Sequence, residues 1–347
     1  MYFKKIILGT VLVGLIIMGG FAYYVYGQLF TPNTSFLNGE AHVHIPTNAT
    51  FTDVLAEMKP LLKDTRSFAN VAKRKGYAEN VKPGHYVIKK GSGNNSLINN
   101  LRSANVPVRV RFNNHERLEN LAGRLSKQIE PDSLQLIRAF KDTVFLKKTG
   151  FSPATALSMY IPNTYEVYWN TSAEAFREKM LGGYNRFWTP SRTKKAEKIG
   201  LSQHEVFALA AIVQKETAKA VERPKVAGVY LNRIERGMLL QADPTVIYAK
   251  KKTENNFGQV IKRVLYRDLV IDSPYNTYKY AGLPPGPITM PDISSIDAVL
   301  DPQQHGYLYF VADVKNFGYH KFASTLSQHN RNKQEYVKWL DLQRLNR

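Results

Sequence analysis

The stretch SQHEVFALAAIVQKETA, residues 202–218, decides how the rest of the chain is interpreted. Ser202 and Glu205 have the spacing of a capping box, in which each side chain satisfies a backbone N–H group left free at the start of a helix. The apolar residues that follow recur at helical spacing. The stretch therefore predicts a helix that begins near Ser202 and continues to the glutamate of the K-E-T run.

That glutamate, Glu216, is predicted at the end of the inward-facing side of the helix. At about 100° per residue it falls on the same side as Leu209 and Val213. A carboxyl group among apolar atoms resists ionisation, and one that stays protonated near neutral pH can donate a proton to a leaving group. The alternative is a surface glutamate paired with Lys215 or Lys219, so the helix alone leaves both interpretations open.

The composition restricts the class of protein. The chain has 347 residues, enough for two or three domains, and no cysteine, which excludes disulfides, thiolate nucleophiles and cysteine-based zinc sites. The formal net charge of +20 favours a polyanionic partner, such as nucleic acid, anionic lipid or an anionic cell-wall polymer. Because no nucleic-acid-binding module is recognisable, nucleic acid is not predicted as a partner. Neither a metal nor a cofactor is predicted.

An uncharged apolar run at residues 6–26 is long enough to cross a bilayer as a helix. Lys4 and Lys5 precede it and predict that residues 1–5 are a cytoplasmic tail. A cleaved signal peptide is the alternative, but no small-x-small cleavage pattern follows the run. The sequence therefore predicts a single-pass protein of the cytoplasmic membrane, with its remaining domains on the extracytoplasmic side.

The predicted fold class is α+β, with two domains after a linker at residues 27–40. Residues 41–105 show the order strand, two helices, strand and helix, which resembles a LysM-like glycan-binding module; a small spacer domain is the alternative. Residues 106–347 are predicted to form a larger, mixed α+β catalytic domain. It opens with a half-buried strand at 106–112, in which valines alternate with arginines. A tyrosine-rich loop is predicted at 159–169.

Polar and aromatic residues beyond Glu216 supply candidates for holding a ligand. Residues 271–288 are dense in Pro, Gly, Tyr and Asn, which predicts a surface loop of the kind that often holds ligands. Asp243 is predicted to cap a helix, and Asp272 to make a hydrogen bond within the loop. The predicted substrate-binding residues are Asn232, Arg233, Gln241, Asp243, Thr245, Tyr275, Asn276, Thr277, Tyr278, Leu283, Pro284, His320 and Phe322.

Five runs of sequence resemble the YceG-like (MltG-type) family of endolytic murein transglycosylases. They are AAIVQKETA at 210–218, VAGVYLNRIERGMLLQADPTVIYA at 226–249, DSPYNTY at 272–278, GLPPGPI at 282–288 and YLYFVAD at 307–313. The HKF and HN motifs near His320 and His329 match as well. The resemblance implies that Glu216 is the catalytic residue and that the substrate is the glycan strand of peptidoglycan. One run, SMYIPNTYEVYW at 158–169, is less acidic and less rich in tryptophan than the family pattern, which affects fine substrate preference.

The resemblance also implies a mechanism. Glu216 protonates the oxygen between N-acetylmuramic acid and N-acetylglucosamine, and then takes the proton of the muramyl C6 hydroxyl as this attacks C1, leaving a 1,6-anhydro end. One carboxylate suffices, whereas typical glycosidases use two. Two alternatives stay open: a muramidase with Asp243 or Asp272 as the second acid, and a membrane-anchored glycan-binding scaffold that does not cut. Peptidoglycan synthases are candidate partners, and a role in setting strand length is expected.

Overall fold

The computed structural model describes residues 2–345, with side chains as far as residue 343. It is a mixed α and β structure, as the sequence predicts, and it divides into two compact units. The first unit comprises Met1–Val110, Ser126–Pro131 and Tyr165–Ser172. The second comprises Arg111–Leu125, Asp132–Thr164 and Ala173–Arg347.

The elements follow one another in a largely helical order. In the first part of the chain they are α1 (Tyr2–Phe30), β1 (Glu40–Ile45), α2 (Phe51–Met58), α3 (Thr65–Arg74), β2 (Gly84–Lys89), α4 (Asn94–Ser103) and β3 (Val108–Phe112). Next come α5 (Leu118–Leu125), α6 (Ser133–Phe140), α7 (Thr143–Lys148), β4 (Asn163–Val167), α8 (Ala173–Phe187), α9 (Pro190–Lys198) and α10 (Gln203–Glu216). The remainder are α11 (Arg223–Glu235), α12 (Asp243–Thr253), α13 (Ile293–Leu300), β5 (Tyr309–Ala312), β6 (His320–Ala323) and α14 (Leu326–Leu345).

The N-terminal helix α1 extends beyond the predicted apolar run at both ends. Within residues 2–345 it is the one helix long and apolar enough to cross a membrane, and its hydrophobic side chains are exposed. Exposure of so many apolar side chains to water would be unfavourable, which is consistent with a membrane anchor.

The predicted order of strand, two helices, strand and helix is observed between β1 and α4. β1 and β2 are antiparallel, with Val43 opposite Tyr86, and these side chains join a buried core with Phe68 of α3 and Leu97 of α4. Thr50 caps α2 through a capping box with Asp53. Glycan binding by this part of the chain remains a prediction.

Residues 31–39, which are part of the predicted linker at 27–40, make hydrogen bonds within the first unit. Asn33 is buried, and its side chain donates to the Asp64 carbonyl oxygen and to Asn94 Oδ1. Thr34 is also buried and accepts a hydrogen bond from the backbone of Gly91. Composition alone indicated a linker, but polar side chains with buried partners fix the segment in place.

The predicted strand at 106–112 is confirmed for β3, whereas the predicted loop at 159–169 is partly wrong. β4 lies inside it and pairs with β3 in a two-stranded sheet. Along β4, Glu166 is exposed and Val167 is buried, so the segment has the alternation of a half-covered strand. The density of tyrosines concealed this alternation.

Helix α10 lies in the core of the second unit. Every residue from Val206 to Val213 is buried, and the helix packs against α11, α12 and α13. The sequence predicts that one side of this helix is buried, whereas all its sides are buried between Val206 and Val213. The additional covering comes from α13, a helix that was not predicted from the sequence. The side-chain amide of Gln214 forms hydrogen bonds with Asp292 and Ser295 at the start of α13.

Candidate active site

Helix α10 presents Glu216 as its last residue. The predicted capping box is observed: the Glu205 carboxylate accepts from Ser202 N at 2.8 Å, and Ser202 Oγ accepts from Glu205 N at 3.3 Å. At the other end Thr217 is buried and extended, with φ −136° and ψ 131°. The helix therefore begins and ends at fixed points, which determines where the Glu216 side chain can project.

The two lysines that could have neutralised Glu216 have other partners. Lys215 Nζ donates to the carboxylate of Glu116 at 2.8 Å. Lys219 Nζ lies 5.3 Å from the ring centroid of Tyr319. Among the described residues neither lysine forms an ion pair with Glu216, so the interpretation as an ordinary paired surface glutamate is disfavoured.

The Glu216 carboxyl group is poised between its two protonation states at neutral pH. Loss of hydration within the surrounding protein is the main reason why its pKa is raised from 4.5 to about 7. The hydrogen bond from Tyr230 lowers the pKa, the negative charge of Asp243 raises it, and the positive charge of Arg233 lowers it. The residue nevertheless keeps part of its surface open to solvent. The carboxyl is therefore weakly hydrated but still accessible from solvent.

Tyr230 of α11 is the direct partner of the carboxyl group. Its hydroxyl donates to Glu216 Oε1 at 2.7 Å, and the residue is almost completely buried, edge-on to Phe310 at 5.9 Å between ring centroids. Tyr230 is absent from the residues predicted from the sequence to form the site. A tyrosine in the buried stripe of a helix needs a partner for its hydroxyl group, and that was the available signal.

Asp243 lies close enough to Glu216 to influence its charge, but it is not a helix cap. Ala242 holds the N-cap position of α12 and Asp243 is the first helical residue, because Gln241 turns the chain with a φ of +48°. The predicted capping role is therefore wrong. The carboxylate instead accepts from the Tyr278 hydroxyl at 2.6 Å. Burial and this hydrogen bond raise the pKa of Tyr278 above its usual range.

Two threonines join the start of α12 to the loop at 271–288. Thr245 Oγ1 and Thr277 Oγ1 lie 2.8 Å apart, and both residues are buried. Thr277 also accepts from Ala242 N through its hydroxyl and from Gln241 N through its carbonyl oxygen, both at 3.0 Å. These contacts position Asp243 and Tyr278 relative to each other, so we assign the two threonines to the scaffold of the site.

The predicted sugar-binding pair Tyr275 and Asn276 is buried. Asn276 has no exposed surface, and its amide donates to the carbonyl oxygens of Leu269 and Ile271, both at 2.9 Å. Tyr275 packs against Tyr248 with 4.8 Å between ring centroids. Both side chains therefore shape the loop from within, which is a scaffolding contribution.

Asn232 and Arg233 likewise have their side-chain donors occupied by backbone. Asn232 Nδ2 donates to the carbonyl oxygens of His305 at 2.8 Å and Tyr307 at 3.0 Å. The buried Arg233 donates from Nε to the Leu308 carbonyl oxygen at 2.6 Å and from Nη1 to the carbonyl oxygens of Leu240 at 2.7 Å and Leu239 at 3.4 Å. They connect α11 to the chain before α12 and to the approach to β5.

The remaining predicted residues contribute as follows. His320 contacts Glu222 twice, through its backbone N–H and through Nδ1, both at 2.8 Å. Phe322 lies on the same strand against Phe310, with 5.9 Å between ring centroids. Leu283 is half-buried and Pro284 buried. The exposed Asp272 makes the predicted loop hydrogen bonds, to Lys279 and Tyr280.

The site therefore consists of one carboxyl with a pKa near 7, a tyrosine that donates to it, and a second carboxylate held by another tyrosine. Within residues 2–345, no three histidine, aspartate or glutamate side chains meet in a way that could hold a metal ion. The arrangement has the groups that general acid–base chemistry requires, since a carboxyl with a pKa near neutrality can both donate and accept a proton.

Known proteins resemble this chain over most of its length. A sequence model of the YceG-like family matches residues 43–335. The endolytic murein transglycosylase of Bacillus subtilis is 30% identical over 342 residues, which cover 93% of this chain and 91% of that protein. That of Streptococcus pneumoniae serotype 2 is 35% identical over 176 residues, covering 51% of this chain and 31% of the relative.

A solved structure of a putative YceG-like protein from Listeria monocytogenes is 27% identical and superposes with a TM-score of 0.57. The match covers 84% of this chain and 98% of that one. Because the family match and the Bacillus subtilis relative both span most of the chain, the chain belongs to the YceG-like family.

Proposed function

We propose that the chain is a membrane-anchored lytic transglycosylase that cleaves the β-1,4 bond between N-acetylmuramic acid and N-acetylglucosamine within peptidoglycan strands. The enzyme class follows from the family and from relatives named endolytic murein transglycosylases. The observation that carries the proposal is the partly exposed Glu216 carboxyl, whose pKa of about 7 lets it exchange a proton at neutral pH.

Glu216 acts first as an acid and then as a base. In its protonated form it gives its proton to the glycosidic oxygen, the C1–O bond breaks, and positive charge develops at C1 of the muramyl sugar. The resulting carboxylate takes the proton of the C6 hydroxyl as that oxygen bonds to C1. Glu216 is thereby protonated again, no water is consumed, and the new end is a 1,6-anhydro ring.

The neighbours of Glu216 adjust its proton affinity in opposite directions. Tyr230 donates a hydrogen bond that stabilises the carboxylate after proton transfer, whereas the negative charge of Asp243 favours the protonated form before it. The balance keeps both forms accessible at one pH, which a residue with two successive roles requires.

The alternative is a muramidase, and the observation that favours it is Asp243. This second carboxylate is close enough to affect the pKa of Glu216, and most hydrolytic glycosidases use two carboxylates as their catalytic residues. In that mechanism water attacks C1 and a reducing end appears. Digestion of purified glycan strands separates the two, because anhydro products are lighter by one water and give no signal in a reducing-end assay.

The pH dependence of cleavage is expected to move in opposite directions in two variants. The rate should fall above about pH 7 as Glu216 loses its proton. Tyr230→Phe removes a donor to the carboxylate, so the pKa of Glu216 should rise and the alkaline limb should move to higher pH. Asp243→Asn removes a negative charge, so the limb should move to lower pH. Initial rates from pH 5 to pH 9 measure this; identical limbs in all three proteins would contradict the assignment.

We infer the cellular location of this activity from helix α1. α1 would anchor the chain with Lys4 and Lys5 inside and both units outside, where peptidoglycan lies. An enzyme held at the membrane reaches nascent strands, so it would end strand elongation beside peptidoglycan synthases. A non-catalytic scaffold would bind the same strands without cutting them. Incubation of the full-length protein in neutral detergent with purified sacculi distinguishes these: shortened strands support the enzyme, and bound but intact strands support the scaffold.

A further inference from the structure

The end of α1 and one side of α3 enclose a cavity in the first unit, separate from the residues around Glu216. Its volume is about 220 Å³. Apolar and aromatic side chains form one part of its wall, namely those of Tyr24, Val25, Leu29 and Val71. Arg74 and Lys75 line it as well, so the cavity combines an apolar wall with two cationic groups.

Buried polar contacts fix α1 to this unit and set the direction of α3. Ser67 Oγ donates to Gln28 Oε1 at 2.7 Å, and the buried Asn94 donates to the Gln28 carbonyl oxygen at 2.8 Å. Arg74, about two turns after Ser67, lines the cavity with Tyr24, about one turn before Gln28. α3 therefore runs against the direction of α1, and its C-terminal end points back toward the apolar run.

Within residues 2–345, Arg74 and Lys75 at that end of α3 have no acidic partner. Neither α3 nor α4 contains an aspartate or glutamate. Lys75 Nζ donates only to the neutral amide oxygens of Asn95 at 2.5 Å and Asn99 at 2.6 Å. Among the described residues Arg74 has no ion pair. Two cations that no carboxylate neutralises, next to an apolar cavity, are suited to bind a ligand that has both an anionic group and an apolar part.

We propose that this cavity binds an anionic phospholipid of the outer leaflet, with its phosphate on Arg74 and Lys75. The upper part of an acyl chain would lie against Val25, Leu29 and Val71. The location fits, because the cavity includes the last residues of the apolar run, where tyrosines mark the boundary between membrane and water. Binding would hold the first unit against the bilayer. The proposal is independent of the reaction at Glu216.

The test compares lipid binding by the full-length protein in neutral detergent, measured by native mass spectrometry. Phosphatidylglycerol and phosphatidylcholine with identical acyl chains are the two probes. Arg74→Gln combined with Lys75→Gln should lower the affinity for phosphatidylglycerol about 30-fold, since each basic residue near an anionic surface contributes roughly a fivefold factor. Arg66→Gln combined with Lys73→Gln removes the same charge from the other side of α3 and should leave the affinity unchanged.

Three results would overturn the proposal. Equal affinity of the unmodified protein for both lipids would show non-selective adsorption to the apolar helix. Equal loss of affinity in the two double variants would show a general effect of net charge. Binding of glycerol 3-phosphate as tightly as of the lipid would exclude the apolar wall from the site. A far-ultraviolet circular dichroism spectrum identical to that of the unmodified protein establishes that each variant is folded.

Discussion

Glu216→Gln should lower the rate of glycan-strand cleavage by about a thousandfold or more, because one residue supplies both the acid and the base of the reaction. The amide has nearly the same shape and can still accept the Tyr230 hydrogen bond at its oxygen, so the site should keep its geometry. The measurement is the rate at which soluble fragments leave purified sacculi. Retention of more than a tenth of the activity would remove Glu216 from the mechanism.

Two comparisons separate this loss from misfolding. Glu205→Gln, at the other end of the same helix, keeps a side chain that can complete the capping box and should retain full activity. The second comparison is the thermal stability of the Glu216→Gln variant. A carboxyl whose pKa is raised from 4.5 to about 7 on folding costs stability increasingly as pH rises through that range. The variant should therefore unfold at a higher temperature than the unmodified protein at pH 8, and at the same temperature at pH 4.

Arg233→Met should lower the free energy of unfolding by about 4 kcal/mol, since it leaves the buried carbonyl oxygens of Leu308 and Leu240 without their charged donor. The substitution keeps most of the apolar volume of the side chain, so the loss reports on the hydrogen bonds. Activity should fall as well, because the segment that carries Gln241 and Asp243 depends on this anchor. Urea denaturation followed by circular dichroism measures the change in stability.

The control for Arg233→Met is Arg236→Met, at the C-cap position directly after the same helix. Arg236 is exposed, and its replacement should change the free energy of unfolding by less than about 0.5 kcal/mol. If Arg233→Met instead kept full stability and raised only the substrate concentration needed for half-maximal rate, Arg233 would be a residue that binds the glycan directly, as sequence reasoning first suggested.

The elements best predicted from the sequence are those with strong local signals. The capping box at Ser202 and the alternation along residues 108–112 both led to correct elements. β4 was missed because its tyrosines indicated a loop, and α13 was missed because its short apolar run sits among prolines. Pairing partners distant in sequence, and the helices that cover a buried helix, leave little trace in local periodicity.

The candidate site shows the same limit. The pattern correctly placed Glu216 in a poorly hydrated position, but it could not distinguish polar residues that face a ligand from those that hold the chain together. Asn276 and Arg233 were predicted to contact substrate, yet both donate to backbone carbonyl oxygens. Tyr230 was not among the predicted site residues, yet its hydroxyl contacts the carboxyl group. The orientation of each side chain in the folded protein decides its role, and the spacing of residues in the sequence does not reveal that orientation.

The central claim, that Glu216 drives strand cleavage in which the muramyl C6 hydroxyl replaces water, can be tested by digestion in water labelled with ¹⁸O. Purified glycan strands are incubated with the enzyme in this solvent, and the new ends are analysed by mass spectrometry. We expect 1,6-anhydro ends without ¹⁸O, and no new ends in the Glu216→Gln reaction. Reducing ends that carry one ¹⁸O atom would contradict the account and identify a hydrolase.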